Sequence, residues 1–166
     1  MDVQPDKQNI DKLFSNTTYY IDFYQRQYKW TDEPVKRLLD DVLYKFNEEF
    51  RKHKDLDLPL KEVINKYAWY YLNTYVTNLV SGKLYVVDGQ QRLTTLTLIL
   101  IKLKHLSNSY QSKLEAWISQ KIVGLSGFER DFWMNHEAHK SSMQELFEGT
   151  QPDLIDTTSG LTAQNM

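Results

Sequence analysis

A short polar segment between two apolar ones constrains the fold of this chain more than any other feature. Leu84–Val87 is an apolar run typical of a buried strand, and an apolar helix is predicted from about Gln90 to Leu106. Asp88–Arg92, of sequence DGQQR, joins the two with no room for a separate loop. Polar groups packed between core elements are costly unless they are paired or used. The chain must therefore pass from a strand into a buried helix through a polar junction.

The residues of this junction have the chemistry of a phosphate site. Gly89 permits a tight turn and a close backbone approach, and a helix start offers N–H groups at the positive end of the helix dipole. Arg92 adds a planar fork of donors that suits phosphate oxygens, and Thr94 and Thr95 add hydroxyls one turn later. The P-loop pattern is absent. The alternative interpretation is structural: Asp88 caps the helix, Gly89 turns and Arg92 lies on the surface.

The composition excludes several classes of protein. The 166 residues include no cysteine, which excludes disulfides, thiolate nucleophiles and cysteine-based zinc sites. This agrees with a reducing cytoplasm, where we expect the protein to reside. The N-terminus does not resemble a signal peptide, and the apolar run Leu93–Leu103 is too short to span a bilayer, so we expect no membrane partner. A formal net charge of −2 lacks the basic excess of a free-standing DNA-binding domain.

The pattern of apolar residues predicts an α+β fold with a helical C-terminal part. We expect a single domain over 1–150, with a helical extension from about 107, and a disordered or truncated tail over 151–166. The predicted elements are a strand over Thr17–Gln25, a helix from Thr31 (N-cap) to about Arg51 with one buried face, a surface loop over Lys52–Leu60, a hairpin of Tyr67–Leu79 with Leu84–Asp88 around Gly82, the Gln90–Leu106 helix, a helix from Ser109 to about Gln120, a loop with Gly124 and Gly127, and a last helix ended by Gly149.

A second polar segment follows the first predicted strand. Gln25 and Arg26 stand among the aromatic residues Tyr24, Tyr28 and Trp30 in the sequence YQRQYKW. Taken alone, this segment is interpreted as an aromatic plug beneath a surface arginine.

Taken together, the two segments resemble the N-terminal ParB-like domain of GmrSD-type restriction systems, long known as a domain of unknown function. Members pair a Tyr-Gln-Arg-x-Tyr-x-Trp segment with Asp-Gly-Gln-Gln-Arg-Leu-Thr-Thr-Leu, as Tyr24–Trp30 and Asp88–Leu96 do here, and Leu38–Leu43 matches the helix between them. The resemblance covers about Ile10–Leu106 and is vaguer over Ser107–Gly149.

The resemblance implies a fold and a function. ParB-like and sulfiredoxin-like folds have a small mixed sheet with a hairpin and packed helices, and they hold a nucleotide at the matching strand–helix junction. In GmrSD-like proteins the DGQQR segment is associated with nucleoside triphosphate hydrolysis that regulates restriction of modified DNA. The implied ligand is a nucleoside triphosphate with Mg²⁺, in phage defence. DNA would be reached only through a C-terminal nuclease domain or a partner chain.

The roles implied by the resemblance fall on the two motifs. The phosphates would be bound by Gln25, Gly89, Gln90 and Gln91, their charge neutralised by Arg26 and Arg92, and their shell completed by Thr94 and Thr95. The groove would be lined by Tyr24, Tyr28 and Trp30. The catalytic residues would be Asp88, Gln91 and Arg92, with Asp88 holding Mg²⁺ or orienting water. The base of the nucleotide and the oligomeric state are not determined by the sequence.

Two other functions stay open. The chain could be a non-catalytic nucleotide-sensing or protein-interaction module, or a ParB-like nuclease. Against the nuclease, Asp40 and Asp41 are adjacent on a predicted helix and do not converge. His136 and His139 are spaced i, i+3 rather than the i, i+4 of a zincin, and we interpret them as part of a surface helix. We therefore expect that this chain does not cut DNA on its own.

Overall fold

The computed structural model describes residues 4–22, 25, 27–126 and 129–150. It divides into two compact units, one formed by the residues up to Lys29 together with those from Tyr75 onward, the other by Trp30–Thr74. The helices in the described residues are α1 (Ile10–Leu13), α2 (Asp32–His53), α3 (Leu60–Ile64), α4 (Gln90–Ser109), α5 (Leu114–Ile122) and α6 (Lys140–Glu148), with a 3₁₀ turn at Glu137–His139. The strands are β1 (Tyr19–Tyr20), β2 (Val76–Val80), β3 (Lys83–Asp88), β4 (Val123–Ser126), β5 (Glu129–Phe132) and β6 (Met134–Asn135).

The first unit is organised by a small mixed sheet in the order β2-β3-β1-β6. β2 and β3 form the predicted antiparallel hairpin, and Gly82 lies in its turn with φ 79°. β1 is parallel to both of its neighbours. Its pairings set Tyr19 level with Leu84 and Met134, and Tyr20 level with Tyr85 and Asn135. The predicted α+β class with a small mixed sheet and packed helices is confirmed.

The core of this unit lies between the sheet and α4. Nine residues of α4 are buried, so the predicted central helix is confirmed. From the sheet, one face contributes Tyr19, Val86 and Met134, each at most 2% exposed. Side chains alternate between the faces of a strand, which is why the level-paired Tyr19 and Met134 share the buried face with Val86.

The C-terminal part departs from its prediction. The predicted loop around Gly124 is an antiparallel hairpin of β4 and β5, and α5 begins at Leu114 rather than near Ser109. β6 then joins the main sheet beside β1. The last helix is confirmed: α6 is followed by Gly149 in the left-handed conformation. Gly127 and the tail 151–166 lie outside the described residues, and the predicted domain limits stay predictions.

The strand predictions in the first half were too long. β1 covers two residues of the predicted Thr17–Gln25, and β2 begins at Val76 rather than at Tyr67. Aromatic and β-branched residues favour extended backbone, but a strand also needs a hydrogen-bonded neighbour, which composition does not reveal.

Among the described residues, no helix is long and apolar enough to cross a membrane.

The second unit is built on α2, whose N-cap position is Thr31 as predicted, although its hydroxyl makes no capping bond. Glu49 anchors the unit: its carboxylate accepts a hydrogen bond from the backbone N–H of Ala68 at 2.9 Å and pairs with Lys52 at 3.0 Å. The N–H of Ala68, followed by the lysine partners, lowers the pKa of Glu49 to about 2.

The predicted burial of the apolar face of α2 is wrong. Leu43, Phe46 and Phe50 are 45–55% exposed, and the buried residue of this helix is Glu49. The helical spacing of these residues is real, but an apolar stripe indicates only that a face is available for packing. It does not say what covers that face. The short helix α3 was not predicted at all.

Candidate functional site

Three parallel strands place several polar segments at one edge of the sheet. Because β1, β3 and β6 are parallel, their carboxyl ends point the same way. Gln25 follows β1, Asp88–Arg92 ends β3 and begins α4, and His136 follows β6. We call this the carboxyl edge. In open sheets with parallel strands, ligands bind beyond the carboxyl ends.

The turn from β3 into α4 is made by a single glycine. Gly89 has φ 90° and ψ 4°, in the left-handed region, and its carbonyl accepts the first helical bond, from Leu93 N–H at 3.1 Å. It is the N-cap residue of α4 and has no side chain with which to cap the helix. Most residues at an N-cap provide such a group. The glycine turn into α4 is thus present as predicted, and phosphate binding at this helix start stays a prediction.

Gln91 joins the first turn of α4 to Gln27 and Lys29 of the YQRQYKW segment. Its Nε2 donates to the carbonyl of Gln27 at 3.1 Å, and its Oε1 accepts from Lys29 N–H at 2.6 Å. The side chain is buried. Both ends of the amide are therefore used by backbone groups of the YQRQYKW segment. The predicted contribution of Gln91 to phosphate binding stays a prediction, and it would come from the backbone N–H.

Tyr28 and Thr95 make a second bond between the motifs. Their hydroxyls are 2.8 Å apart, and Thr95 Oγ1 also donates to the carbonyl of Gln91 at 2.8 Å. Since Thr95 has one hydroxyl hydrogen, Tyr28 is the donor to Thr95. Both residues are almost fully buried, and burial raises the pKa of Tyr28. Both residues are therefore part of the core, and Thr95 lies on the buried side of α4.

Gln25 is held at the carboxyl edge by β3. Its Nε2 donates to the carbonyl of Val86, and its backbone N–H donates to the carbonyl of Asp22 at 3.1 Å. The Oε1 atom is buried and has no hydrogen-bond partner among the described residues. Buried polar atoms are normally paired, so a missing partner here is consistent with the predicted ligand contact.

The other predicted residues divide into three groups. Gln90 and Thr94 are buried in the first turns of α4, Arg92 is half-buried there, and Asp88 is exposed at the end of β3. Trp30 belongs to the second unit. Arg26 and Tyr24 lie outside the described residues, so the expected convergence of Arg26 with Arg92 stays a prediction.

The interpretation of His136 and His139 as a surface helix is wrong. His139 is 3% exposed and ends a 3₁₀ turn, and its ring centre lies 4.3 Å from that of His136. Burial, followed by the neighbouring His139, lowers the pKa of His136 to about 4. Across the described residues, no three His, Asp or Glu side chains come together as a metal site. The buried apolar run Phe132–Met134 just before this segment is the sequence signal that could have indicated the burial of His139.

The chain was compared with known proteins. Residues 10–160 match a family model described as the N-terminal domain of the GmrSD restriction endonuclease. A search of curated proteins found no match. The family match spans most of the chain and includes both polar motifs.

Proposed function

Because this chain belongs to the family of GmrSD restriction endonuclease N-terminal domains, and so is part of a phage-defence restriction system, we propose that it binds and hydrolyses a nucleoside triphosphate at the start of α4. The observation that carries the proposal is the turn at Gly89. It takes the chain directly from a parallel strand into a buried helix whose cap residue has no side chain. Helix starts of this kind bind phosphates through backbone N–H groups and the helix dipole.

The side chains around this turn divide into those that meet the ligand and those that hold the site. Arg92, half-buried in the first turn, is the cation for the phosphate oxygens. Gln91 and Thr95 are positioning residues, because their side-chain bonds hold the segment Gln27–Lys29 against α4. Gln25, whose Oε1 lacks a partner among the described residues, reaches the ligand from the next strand.

A magnesium ion fits the residues at this edge. Mg²⁺ in triphosphate sites is usually held by one or two carboxylates together with phosphate oxygens. Asp88 provides one exposed carboxylate at the end of β3. When bound, the ion supplies charge neutralisation for the phosphates. Asp88 would hold the ion, and Arg92 would bind the phosphates on the helix side.

Release of inorganic phosphate tests turnover. The purified chain is incubated with each common triphosphate and Mg²⁺, and phosphate is followed against time. We expect release in proportion to protein concentration, lost in Asp88→Asn and in Arg92→Ala and kept in Arg37→Ala, an exposed arginine of α2. Binding without any release would instead support the nucleotide-sensing alternative. If the chain shows no binding and no release with any triphosphate, the proposal is contradicted.

The nuclease alternative needs a separate assay. Plain, methylated and glucosylated plasmids are incubated with the chain, with Mg²⁺ or Mn²⁺, and with each triphosphate. We expect intact plasmid, because cleavage is assigned to another domain or chain of the system. Nicking that co-purifies with the protein and disappears in Asp88→Ala would make the nuclease the first candidate.

A further inference from the structure

The histidine pair at the end of β6 carries polar atoms that the rest of the described chain does not satisfy. Nδ1 of His136 and both ring nitrogens of His139 are buried and have no hydrogen-bond partner among the described residues. Their ring centres are 4.3 Å apart, with the planes inclined at 54°. Buried polar groups left unpaired are rare in folded proteins and call for an explanation, such as a bound ion.

The position of the pair is that of a ligand site. His136 continues β6 by one residue with φ −116° and ψ 88°. Alternation along the strand assigns it to the face that carries Met134, the buried face of the sheet. α4 packs against β6. The pair therefore lies at the carboxyl edge of the parallel strands, on the side of the sheet that α4 covers.

We propose that His136 and His139 together bind a divalent transition-metal cation, such as Co²⁺, Zn²⁺ or Mn²⁺, through one ring nitrogen each. Imidazole nitrogen is a preferred ligand for these ions. A nitrogen bound at about 2.0–2.1 Å places each ring centre roughly 3.2 Å from the metal. Two such rings with centres 4.3 Å apart subtend an angle of about 85° at the ion. That is the angle between neighbouring ligands of an octahedral or five-coordinate site.

Two further features suit this ligand. Burial lowers the pKa of both imidazoles and so favours the neutral ring, which is the form that binds a metal. His136 is half-buried and opens the pair to solvent. Because the described residues provide no third His, Asp or Glu ligand nearby, the remaining positions fall to water or to an oxygen of a bound anion. The proposal does not depend on triphosphate binding at α4.

The test uses Co²⁺ alone, with the full chain carrying no histidine tag. Visible absorption and calorimetry follow the titration in the absence of nucleotide. We expect one bound ion per chain, and affinity at least ~10-fold weaker in His136→Gln and in His139→Asn, since even indirect changes near a metal cost this much. His53→Gln, in the second unit, is the matched control and should bind as the wild type does.

A measurement on the wild type guards against unfolded variants. Bound Co²⁺ should protect the half-buried His136, but not His53, from modification by diethyl pyrocarbonate, as read by mass spectrometry of peptides. The proposal is overturned by absence of a bound ion, by equal affinity in the two variants and the wild type, or by equal modification with and without Co²⁺. Triphosphate binding is measured separately with Mg²⁺, so failure of one proposal is distinguishable from failure of the other.

Discussion

The hydroxyls of Tyr28 and Thr95 lie 2.8 Å apart, although 67 positions separate the two residues. Tyr28 belongs to the YQRQYKW segment and Thr95 to the DGQQRLTT segment. With the two bonds of Gln91 to the backbone of Gln27 and Lys29, this contact explains why the two segments occur together. These bonds hold Gln27–Lys29 against the start of α4.

Tyr28→Phe should lower the free energy of unfolding modestly. The ring keeps its packing, and Thr95 keeps its bond to the carbonyl of Gln91, so the loss is that of one buried hydrogen bond, about 0.5–1.5 kcal/mol. Urea unfolding followed by circular dichroism measures it. Tyr110→Phe, at a residue 81% exposed, is the matched control. A Tyr28→Phe protein as stable as the wild type would show that the bond contributes nothing.

Gln91→Glu should loosen the YQRQYKW segment. The carboxylate can still accept from Lys29 N–H, but it cannot donate to the carbonyl of Gln27. The loss of this part-buried hydrogen bond costs about 0.5–1.5 kcal/mol. Amide hydrogen exchange should be faster at Lys29 in the variant, while Gln120→Glu, on an exposed position of α5, should leave it unchanged. Unaltered exchange in Gln91→Glu would mean that the bond to Gln27 does not hold this segment.

Gly89→Ala should weaken triphosphate binding by more than its loss of stability explains. An L-residue in the left-handed region costs roughly 1–2 kcal/mol, and Gly89 has φ 90°. Gly82→Ala is a close control, because φ is 79° there and nothing lies within 4 Å of an added Cβ. We expect similar losses of stability in both, by thermal unfolding, but weaker triphosphate binding only in Gly89→Ala. Equal binding by both variants would separate Gly89 from the site.

The stabilising effect of Glu49 should depend on pH. The pKa of this carboxyl falls from its ordinary value of 4.5 to about 2 in the folded protein. A lowered pKa means that the stabilisation is fully present above about pH 4.5 and is lost as the pH falls towards 2. Urea unfolding of the wild type and Glu49→Gln should therefore show a large difference at pH 7 and a smaller one at pH 3. A difference that does not change with pH would refute the assignment.

The junction and the helix after it could be predicted because their signals are local. A strand, a glycine and an apolar helix follow one another in the sequence, and α4 begins at Gln90 as expected. The hairpin around Gly82 was predictable for the same reason, since a short turn brings its two strands together. Contacts such as Gln91 with Gln27 depend on distant parts of the chain meeting, and no local pattern indicates them.

The predictions that were wrong failed for the same reason, because they depended on contacts between distant parts of the chain. β6 is only two residues long and exists because β1 is beside it, so no run of residues indicates it. His139 is buried because β6 places it there, whereas its polar neighbours suggested a surface. The face of α2 was predicted to be buried from periodicity alone, which does not identify a partner for it.

Calorimetric titration of triphosphates with Mg²⁺ into the wild type and Arg92→Ala tests the central claim most directly. We expect the wild type to bind at least one triphosphate. In Arg92→Ala the binding free energy should be weaker by about 1.5–3 kcal/mol, the contribution of a charged hydrogen bond. Arg37→Ala should bind as the wild type does, and circular dichroism should show that all three proteins are folded. If the folded wild type gives no heat with any triphosphate, or if Arg92→Ala binds with unchanged affinity, the start of α4 is not the phosphate site.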